Sequence, residues 1–190
     1  MTVLRRTILL GVITVAAAAH AGAQESAPVK ALSERTANPK GPFARLTIPQ
    51  RDSILEHSRS LLGTRYKWAG ATPEIGLDCS GLVKYVFAKL GIELPHHAAD
   101  LAKLGGSVTK DTAEMMPGDL LVFGKGKRIS HVGIYLGDGR MIHASSASHR
   151  VVEAVLDLHR PPGGLQWKGV RRVIALDSTA TEVDSEPPRP

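Results

Sequence analysis

Hydrophobic positions recur at helical spacing in the first half of the chain. Residues 50–62 carry apolar side chains three to four positions apart and stop at Gly63, so this pattern predicts a helix. A second apolar stripe, over residues 82–90, predicts a helix that begins at Cys79. A weaker helical pattern covers residues 98–104. The first half of the folded part is therefore predicted to be helical.

The period changes to that of strands in the second half. Short apolar segments bounded by turn residues predict five strands, at residues 119–123, 131–136, 140–144, 151–155 and 170–174. Gly137-Asp138-Gly139 separates the second from the third and is typical of a hairpin turn. Helices followed by hairpin-connected strands predict an α+β domain, with N-terminal helices packed on a central antiparallel β-sheet.

The two ends of the chain differ from this middle part. Two arginines, an uncharged apolar run and a small-residue site indicate that residues 1–23 are a secretory signal peptide. Residues 24–47 are predicted to be a linker, and the proline-rich and acid-rich residues 177–190 a disordered tail. The folded domain is then 48–176. We expect export, either to the periplasm or out of the cell, with no stable membrane insertion once the signal is removed.

Charge and composition exclude some partners. The chain is 43% hydrophobic, which is sufficient for a core, and it carries a formal charge of +6. Loss of the two arginines in residues 1–23 would leave +4. The basic residues do not cluster along the sequence beyond pairs such as Arg171-Arg172, and no nucleic-acid-binding motif is present. We therefore expect no nucleic-acid partner.

Cys79 is the only cysteine in the 190 residues. Exported proteins use cysteines mainly in disulfide pairs, so an unpaired thiol in such a chain indicates a reactive role. The start of a helix and a neighbouring histidine would both lower the pKa of the thiol, whereas the charge of Asp78 would raise it. The pattern indicates a nucleophilic thiol.

The predicted hairpin supplies the histidines. In a strand, His131 and Gly133 lie on one face. If the turn uses three residues, Leu136 pairs with Arg140 and Gly133 faces His143, which brings the two histidines within hydrogen-bonding reach on one face. A two-residue turn without a bulge would rotate His143 to the other face. A histidine pair therefore requires the three-residue turn or an equivalent bulge.

These residues belong to a series of motifs in which the chain resembles the NlpC/P60 family of cell-wall endopeptidases. The motifs are Gly63-Thr64-Arg65-Tyr66-Lys67-Trp68, Asp78-Cys79-Ser80-Gly81, Pro117-Gly118-Asp119-Leu120, His131-Val132-Gly133-Ile134-Tyr135 and Met141-Ile142-His143-Ala144. The resemblance runs from about residue 61 to residue 174. It implies a papain-like NlpC/P60 fold, in which the helix that begins with the cysteine packs on the sheet.

The resemblance also implies roles for individual residues. It makes Cys79 the nucleophile, His131 the general base and His143 the third polar member. Tyr66 matches a family tyrosine whose hydroxyl lies near the oxyanion position. The residues that flank the family's cysteine can contact the free amine of a stem peptide, which makes substrate-binding residues of Asp78 and Ser80.

The function that follows from the resemblance is that of a secreted peptidoglycan hydrolase, a cysteine endopeptidase. It would cut an amide bond in murein stem peptides, either between D-glutamate and a diamino acid or at the cross-link between D-alanine and meso-diaminopimelate. Two alternatives stay open. One is a related thiol amidase or acyltransferase that acts on a non-wall substrate, and the other is a non-catalytic wall-binding protein.

Two histidines depart from the family pattern. After Leu94-Pro95 the family usually has arginine followed by serine or threonine, whereas this chain has His96 and His97. That segment borders the family's cleft, so we expect the substrate preference to differ. Adjacent side chains project apart and complete no known ligand spacing, so no metal site is predicted, and the implied chemistry needs no cofactor.

Overall fold

A computed structural model describes residues 44–157 and 161–176. Its elements in chain order are β1 (Ala44–Leu46), α1 (Ile48–Ser60), β2 (Ala71–Thr72), β3 (Gly76–Leu77), α2 (Cys79–Ala88), α3 (Ala98–Leu101), β4 (Gly106–Val108), β5 (Leu120–Lys125), β6 (Arg128–Gly137), β7 (Arg140–Ser145), β8 (Arg150–Val155), a 3-10 turn (Pro162–Gly164), β9 (Gln166–Arg172) and β10 (Ile174–Leu176). The predicted signal peptide (1–23), the predicted tail (177–190) and residues 24–43 of the predicted linker lie outside the described residues.

A six-stranded antiparallel sheet is the centre of the fold. Its strand order is β4-β9-β5-β6-β7-β8, and β2 and β3 form a separate small hairpin. Helices α2 and α3 pack on the sheet, and α1 packs on α2. The predicted α+β class and its central antiparallel sheet are confirmed.

The alternation of side chains along β6 divides the core between the two faces of the sheet. Val132, Ile134 and Leu136 are buried in a cluster shared with the helices. On the other face, Tyr135 joins a second cluster that includes Phe123 and is formed largely by the strands themselves. Because His131 shares the face of Tyr135, β6 presents it beside this second cluster.

Helix α1 begins two residues before the predicted start because its cap lies further upstream. Thr47 and Gln50 form a capping box, in which the Thr47 hydroxyl accepts from the Gln50 N–H and the Gln50 side chain accepts from the Thr47 N–H. Pro49 is tolerated in the first helical turn, where its missing N–H costs nothing. Within the predicted linker 24–47, residues 44–46 form β1, which pairs in parallel with β10.

The β6–β7 hairpin meets the register condition by a route that differs from the simple three-residue turn. Asp138 and Gly139 both have positive φ, of 50° and 66°, as a two-residue type I′ turn requires. Gly137, and not Leu136, pairs with Arg140, and the register shifts between Tyr135 and Gly137. This bulge restores the pairing that was predicted further along the hairpin.

The predicted motif Pro117-Gly118-Asp119 has a structural role. Asp119 is 1% exposed and accepts two hydrogen bonds from Arg172 of β9, at 2.9 and 2.8 Å, and a third from the Met116 N–H at 2.9 Å. The guanidinium is fixed by a carboxylate with a matching planar geometry. This ion pair anchors the start of β5 to β9.

No helix within residues 44–157 and 161–176 has the length and hydropathy needed to cross a bilayer.

Candidate active site

Cys79 is the first residue of α2, and Asp78 caps that helix. The Asp78 backbone is extended (φ −90°, ψ 179°), and its carboxylate accepts from the Gly81 N–H at 2.7 Å. Ser80 and Gly81 are buried with Cys79 under the preceding loop. A Cβ on Gly81 would lie 2.0 Å from the carbonyl oxygen of Gly70, so only glycine permits this approach. The sequence thus holds the thiol at a rigid helix start.

The protein environment favours the neutral thiol at Cys79. Burial, reinforced by the charge of Asp78, raises the pKa of Cys79 to about 11, although the backbone N–H groups of Val132, Ser80 and Cys79 itself act in the opposite direction. The helix start was predicted to lower the pKa of the thiol, but burial has the larger effect and raises it. The Val132 contact also shows that the sulfur lies beside β6, next to His131.

The two predicted histidines are joined by a hydrogen bond. Nε2 of His131 lies 2.8 Å from Nδ1 of His143, and the ring planes are nearly perpendicular, at 85°. A Cβ on Gly133 would lie 3.3 Å from the Cβ of His143, which confirms that these two residues face each other across the hairpin. Glycine at that position leaves room for the ring contact.

Burial keeps both rings neutral. It lowers the pKa of His131 to about 3, with the neighbouring His143 adding to the shift and the Asp78 charge opposing it. Burial alone lowers the pKa of His143 to about 4. At neutral pH the resting site therefore holds a thiol beside a neutral imidazole, and His131 is able to accept a proton.

Tyr66 lines the same cleft as the thiol. Its backbone N–H donates to the carbonyl of His149 at 2.9 Å, and an isolated bridge joins it to Leu77 just before α2. Burial, followed by the charges of Cys79 and Asp78, raises the pKa of Tyr66. The hydroxyl consequently remains protonated and can donate a hydrogen bond into the site.

Asp78 is held in a hydrogen-bond network that includes one residue sequence reasoning missed. Besides Gly81, its Oδ1 accepts from Ser80 Oγ at 2.9 Å and contacts His96 Nε2 at 3.0 Å. Across the part of the chain that the structure describes, these contacts all use Oδ1, so Oδ2 is available to a ligand. In the sequence, the departure from the family pattern at position 96 could have identified His96 as a residue of the site.

An open cleft of about 1010 Å³ brings most of these side chains together. The predicted residues that line it are Tyr66, Asp78, Cys79, Ser80 and His131, and His96 joins them. His143 does not line the cleft; it is 5% exposed and supports His131 from behind. Among residues 44–157 and 161–176 no group of three or more histidine, cysteine, aspartate or glutamate side chains could hold a metal ion.

A thiol at a helix start, beside a neutral histidine whose ring is held by a second polar group, is the arrangement that cysteine hydrolases use for acyl transfer. The model of the NlpC/P60 family matches residues 63–161, more than half of the chain. The chain belongs to the NlpC/P60 family, as its motifs predicted.

Three similar proteins illustrate the relationship. The γ-DL-glutamyl hydrolase of Bacillus subtilis is 35% identical over 67% of this chain and 31% of its own length. The bifunctional muramidase/DL-endopeptidase CwlT of the same organism is 40% identical over 50% of this chain and 30% of its own length. The structure of the peptidoglycan hydrolase RipB of Mycobacterium tuberculosis superimposes with a TM-score of 0.55 and 29% identity, over 67% of this chain and 66% of that one. This chain thus matches about a third of the length of the first two relatives.

Proposed function

We propose that this protein is a cysteine endopeptidase that hydrolyses the bond between D-glutamate and the diamino acid in peptidoglycan stem peptides. The observation that carries the proposal is the 2.8 Å hydrogen bond between His131 and His143, next to the buried Cys79 thiol in an open cleft. Relatives named a DL-endopeptidase and a γ-DL-glutamyl hydrolase support the D-glutamyl bond over the D-alanine cross-link. A substrate of this kind and the predicted signal peptide both support a location outside the cytoplasm.

The reaction begins with attack of the Cys79 sulfur on the carbonyl carbon. The thiol proton passes to Nδ1 of His131 as the carbon–sulfur bond forms, because neither ring nor thiol is ionised beforehand. The tetrahedral intermediate then expels the amine, which takes that proton from His131, and a thioester remains. Water attacks the thioester with His131 as its base, the carbon–sulfur bond breaks, and the free acid and the thiol are released.

His143 determines which nitrogen of His131 can act as the base. The hydrogen bond between the rings uses Nε2 of His131, so Nδ1 is the nitrogen that can face the thiol. For Nδ1 to accept a proton, Nε2 must carry the hydrogen and donate it to Nδ1 of His143. His143 is then the neutral acceptor that orients the ring and stabilises the imidazolium when it forms.

Tyr66 and the helix start would stabilise the oxyanion. The N–H of Cys79 stands in the first turn of α2, where backbone donors have no partner within the helix. The Tyr66 hydroxyl, kept protonated by its raised pKa, is the second donor. One donor of this kind contributes about 3 kcal/mol of transition-state stabilisation.

Asp78 and Ser80 would receive the free amine of the stem peptide. Both line the cleft, and Oδ2 of Asp78 is directed to no partner within the described residues. An ammonium group beside this carboxylate would form a charge-assisted hydrogen bond. That contact would favour stems whose terminal amine is free.

Defined substrates test the proposal. We expect the wild-type protein to convert L-Ala-γ-D-Glu-meso-diaminopimelate-D-Ala into L-Ala-D-Glu and diaminopimelate-D-Ala, detected by mass spectrometry, and Cys79→Ala to yield neither product. Release of intact stems from a cross-linked dimer would show that the bond cleaved is instead the D-alanine cross-link. Equal product from Cys79→Ala would refute the thiol mechanism, and turnover only of amides unrelated to the wall would favour the alternative amidase.

A further inference from the structure

The cleft is strongly unbalanced in charge. Its lining includes five basic side chains, and Asp78 is the one carboxylate among the described residues that line it. Lys103 is paired with Asp100 at 2.7 Å and is set aside. The other four, which we call the cationic wall, are Lys127, Arg128, Lys168 and Arg171.

The cationic wall is not neutralised within residues 44–157 and 161–176. Arg171 donates to the carbonyl of Ala102 at 2.6 Å, and Lys168 to the side-chain amide of Gln166, both of them uncharged acceptors. Lys127 and Arg128 stand exposed at the β5–β6 hairpin and make no ion pair with any described residue. Four uncompensated cations in one cleft repel each other and attract anions.

The strand register gives the distance of the wall from the chemistry. His131, Phe123 and Trp167 form one row across β6, β5 and β9, so Lys168 lies next to that row, roughly 10 Å from β6 at the usual strand spacing. Arg128 lies three positions before His131 in β6, again roughly 10 Å away. The wall therefore meets a substrate group roughly 10 Å from the reacting carbonyl, a distance that the extended side chain of the adjoining diamino acid nearly spans.

We propose that the cationic wall binds free carboxylates of the substrate and makes the protein selective for stem peptides whose carboxylates are not amidated. The proposal rests on the proposed function and adds a specificity site to it. Asp78 offers a negative group near the thiol and the wall offers positive groups away from it. A substrate with an ammonium group at one end and carboxylates at the other therefore fits the cleft in one direction.

Two sources could provide such carboxylates. One is the diamino acid of a stem peptide, whose carboxylate can be free or amidated. The other is a γ-linked glutamyl chain, which presents one carboxylate per residue. Both would form charge-assisted hydrogen bonds with lysine and arginine, and the arginines can bind a carboxylate through two N–H groups.

A matched pair of peptides provides the test. We expect wild-type kcat/KM on L-Ala-γ-D-Glu-meso-diaminopimelate-D-Ala to exceed that on the same peptide with an amidated diaminopimelate carboxylate by about tenfold or more, as one charge-assisted hydrogen bond allows. Lys127→Gln/Arg128→Gln and, separately, Lys168→Gln should reduce this preference several-fold, because they lower kcat/KM more on the peptide with the free diaminopimelate carboxylate than on the amidated peptide. The preference should also weaken with added salt.

Lys84→Gln/Lys89→Gln is the control for the double variant, because it removes the same two positive charges from a surface that does not line the cleft, and Lys89→Gln alone is the control for Lys168→Gln. Equal wild-type rates on the two peptides, a preference that survives in both wall variants, or an equal loss in the control would overturn the proposal. If the specificity proposal fails but both peptides are cleaved, the proposed function still holds; cleavage of neither peptide would mean that the function itself has failed.

A γ-linked glutamyl oligomer identifies the source of the carboxylates. Turnover of the oligomer that depends on the cationic wall supports the polymer, and a wall-dependent preference confined to the stem peptides supports the diamino acid.

Discussion

Acidification should unfold this protein through its two buried histidines. Burial lowers the pKa of His131 to about 3 and that of His143 to about 4, from an ordinary value of 6.5. Because the histidine pKa values are lower in the folded state, the unfolded chain binds more protons than the folded chain between the folded and unfolded pKa values. Stability is then full above pH 6.5 and is lost as the pH falls toward the folded-state values.

The magnitude follows from the same values. At pH 5 a histidine that titrates near 6.5 when unfolded and stays neutral when folded removes about 2 kcal/mol of stability. The two together remove about 4 kcal/mol relative to pH 8, which is a large part of the stability of an ordinary domain. Ordinary carboxylates stay largely ionised over this interval, so they add little to the change.

Urea unfolding at pH 8, 7, 6 and 5, followed by circular dichroism, measures this loss. The double variant His131→Gln/His143→Gln should have a nearly flat profile, whereas His97→Gln, which replaces an exposed histidine, should keep the wild-type slope. Equal free energies of unfolding at pH 8 and pH 5 in the wild type would refute the reasoning. So would a slope that persists unchanged in the double variant.

Three substitutions test other parts of the structure. Gly81→Ala should lower stability by about 2 kcal/mol, measured as a lower Tm, because the new Cβ would lie 2.0 Å from the Gly70 carbonyl oxygen. Helix propensity alone predicts the opposite, a gain of about 1 kcal/mol. A higher Tm would therefore contradict the described packing. Asp119→Ala should cost about 2–3 kcal/mol in urea unfolding, because it removes the charge-assisted hydrogen bonds from Arg172, whose side chain is partly exposed, and the acceptor of the Met116 N–H; a loss below about 1 would show the pair to be unimportant. Tyr66→Phe should lower kcat on a stem peptide by about a hundredfold or more with KM little changed, and unchanged kcat would remove Tyr66 from the oxyanion site.

The sequence was sufficient for what local patterning controls. The apolar stripe of α2 and the alternation along β6 predicted the helix that carries Cys79 and the sheet face that carries His131. The hairpin was predicted only conditionally, because turn composition allows two registers and burial selects between them. The observed structure combines a two-residue turn at Asp138-Gly139 with a bulge at Gly137, and this keeps His143 on the required face.

Long-range contacts account for what was missed. His96 reaches Asp78 across 18 positions, and Arg172 reaches Asp119 across 53, and no local pattern encodes either pairing. The basic residues of the cationic wall are scattered along the sequence and share one cleft because β9 and β6 are the two neighbours of β5 in the sheet. The thiol pKa was likewise beyond the sequence, because it depends on how deeply Cys79 is buried.

The proposed function depends on the Cys79 thiol as the group that cleaves peptidoglycan stem peptides. The most direct measurement is the rate at which purified cell walls release stem-peptide fragments, identified by mass spectrometry, with the wild type and with Cys79→Ser side by side at equal folded concentration. We expect steady release by the wild type and no release above an enzyme-free blank by Cys79→Ser. Release at the same rate by both proteins would contradict the proposed function.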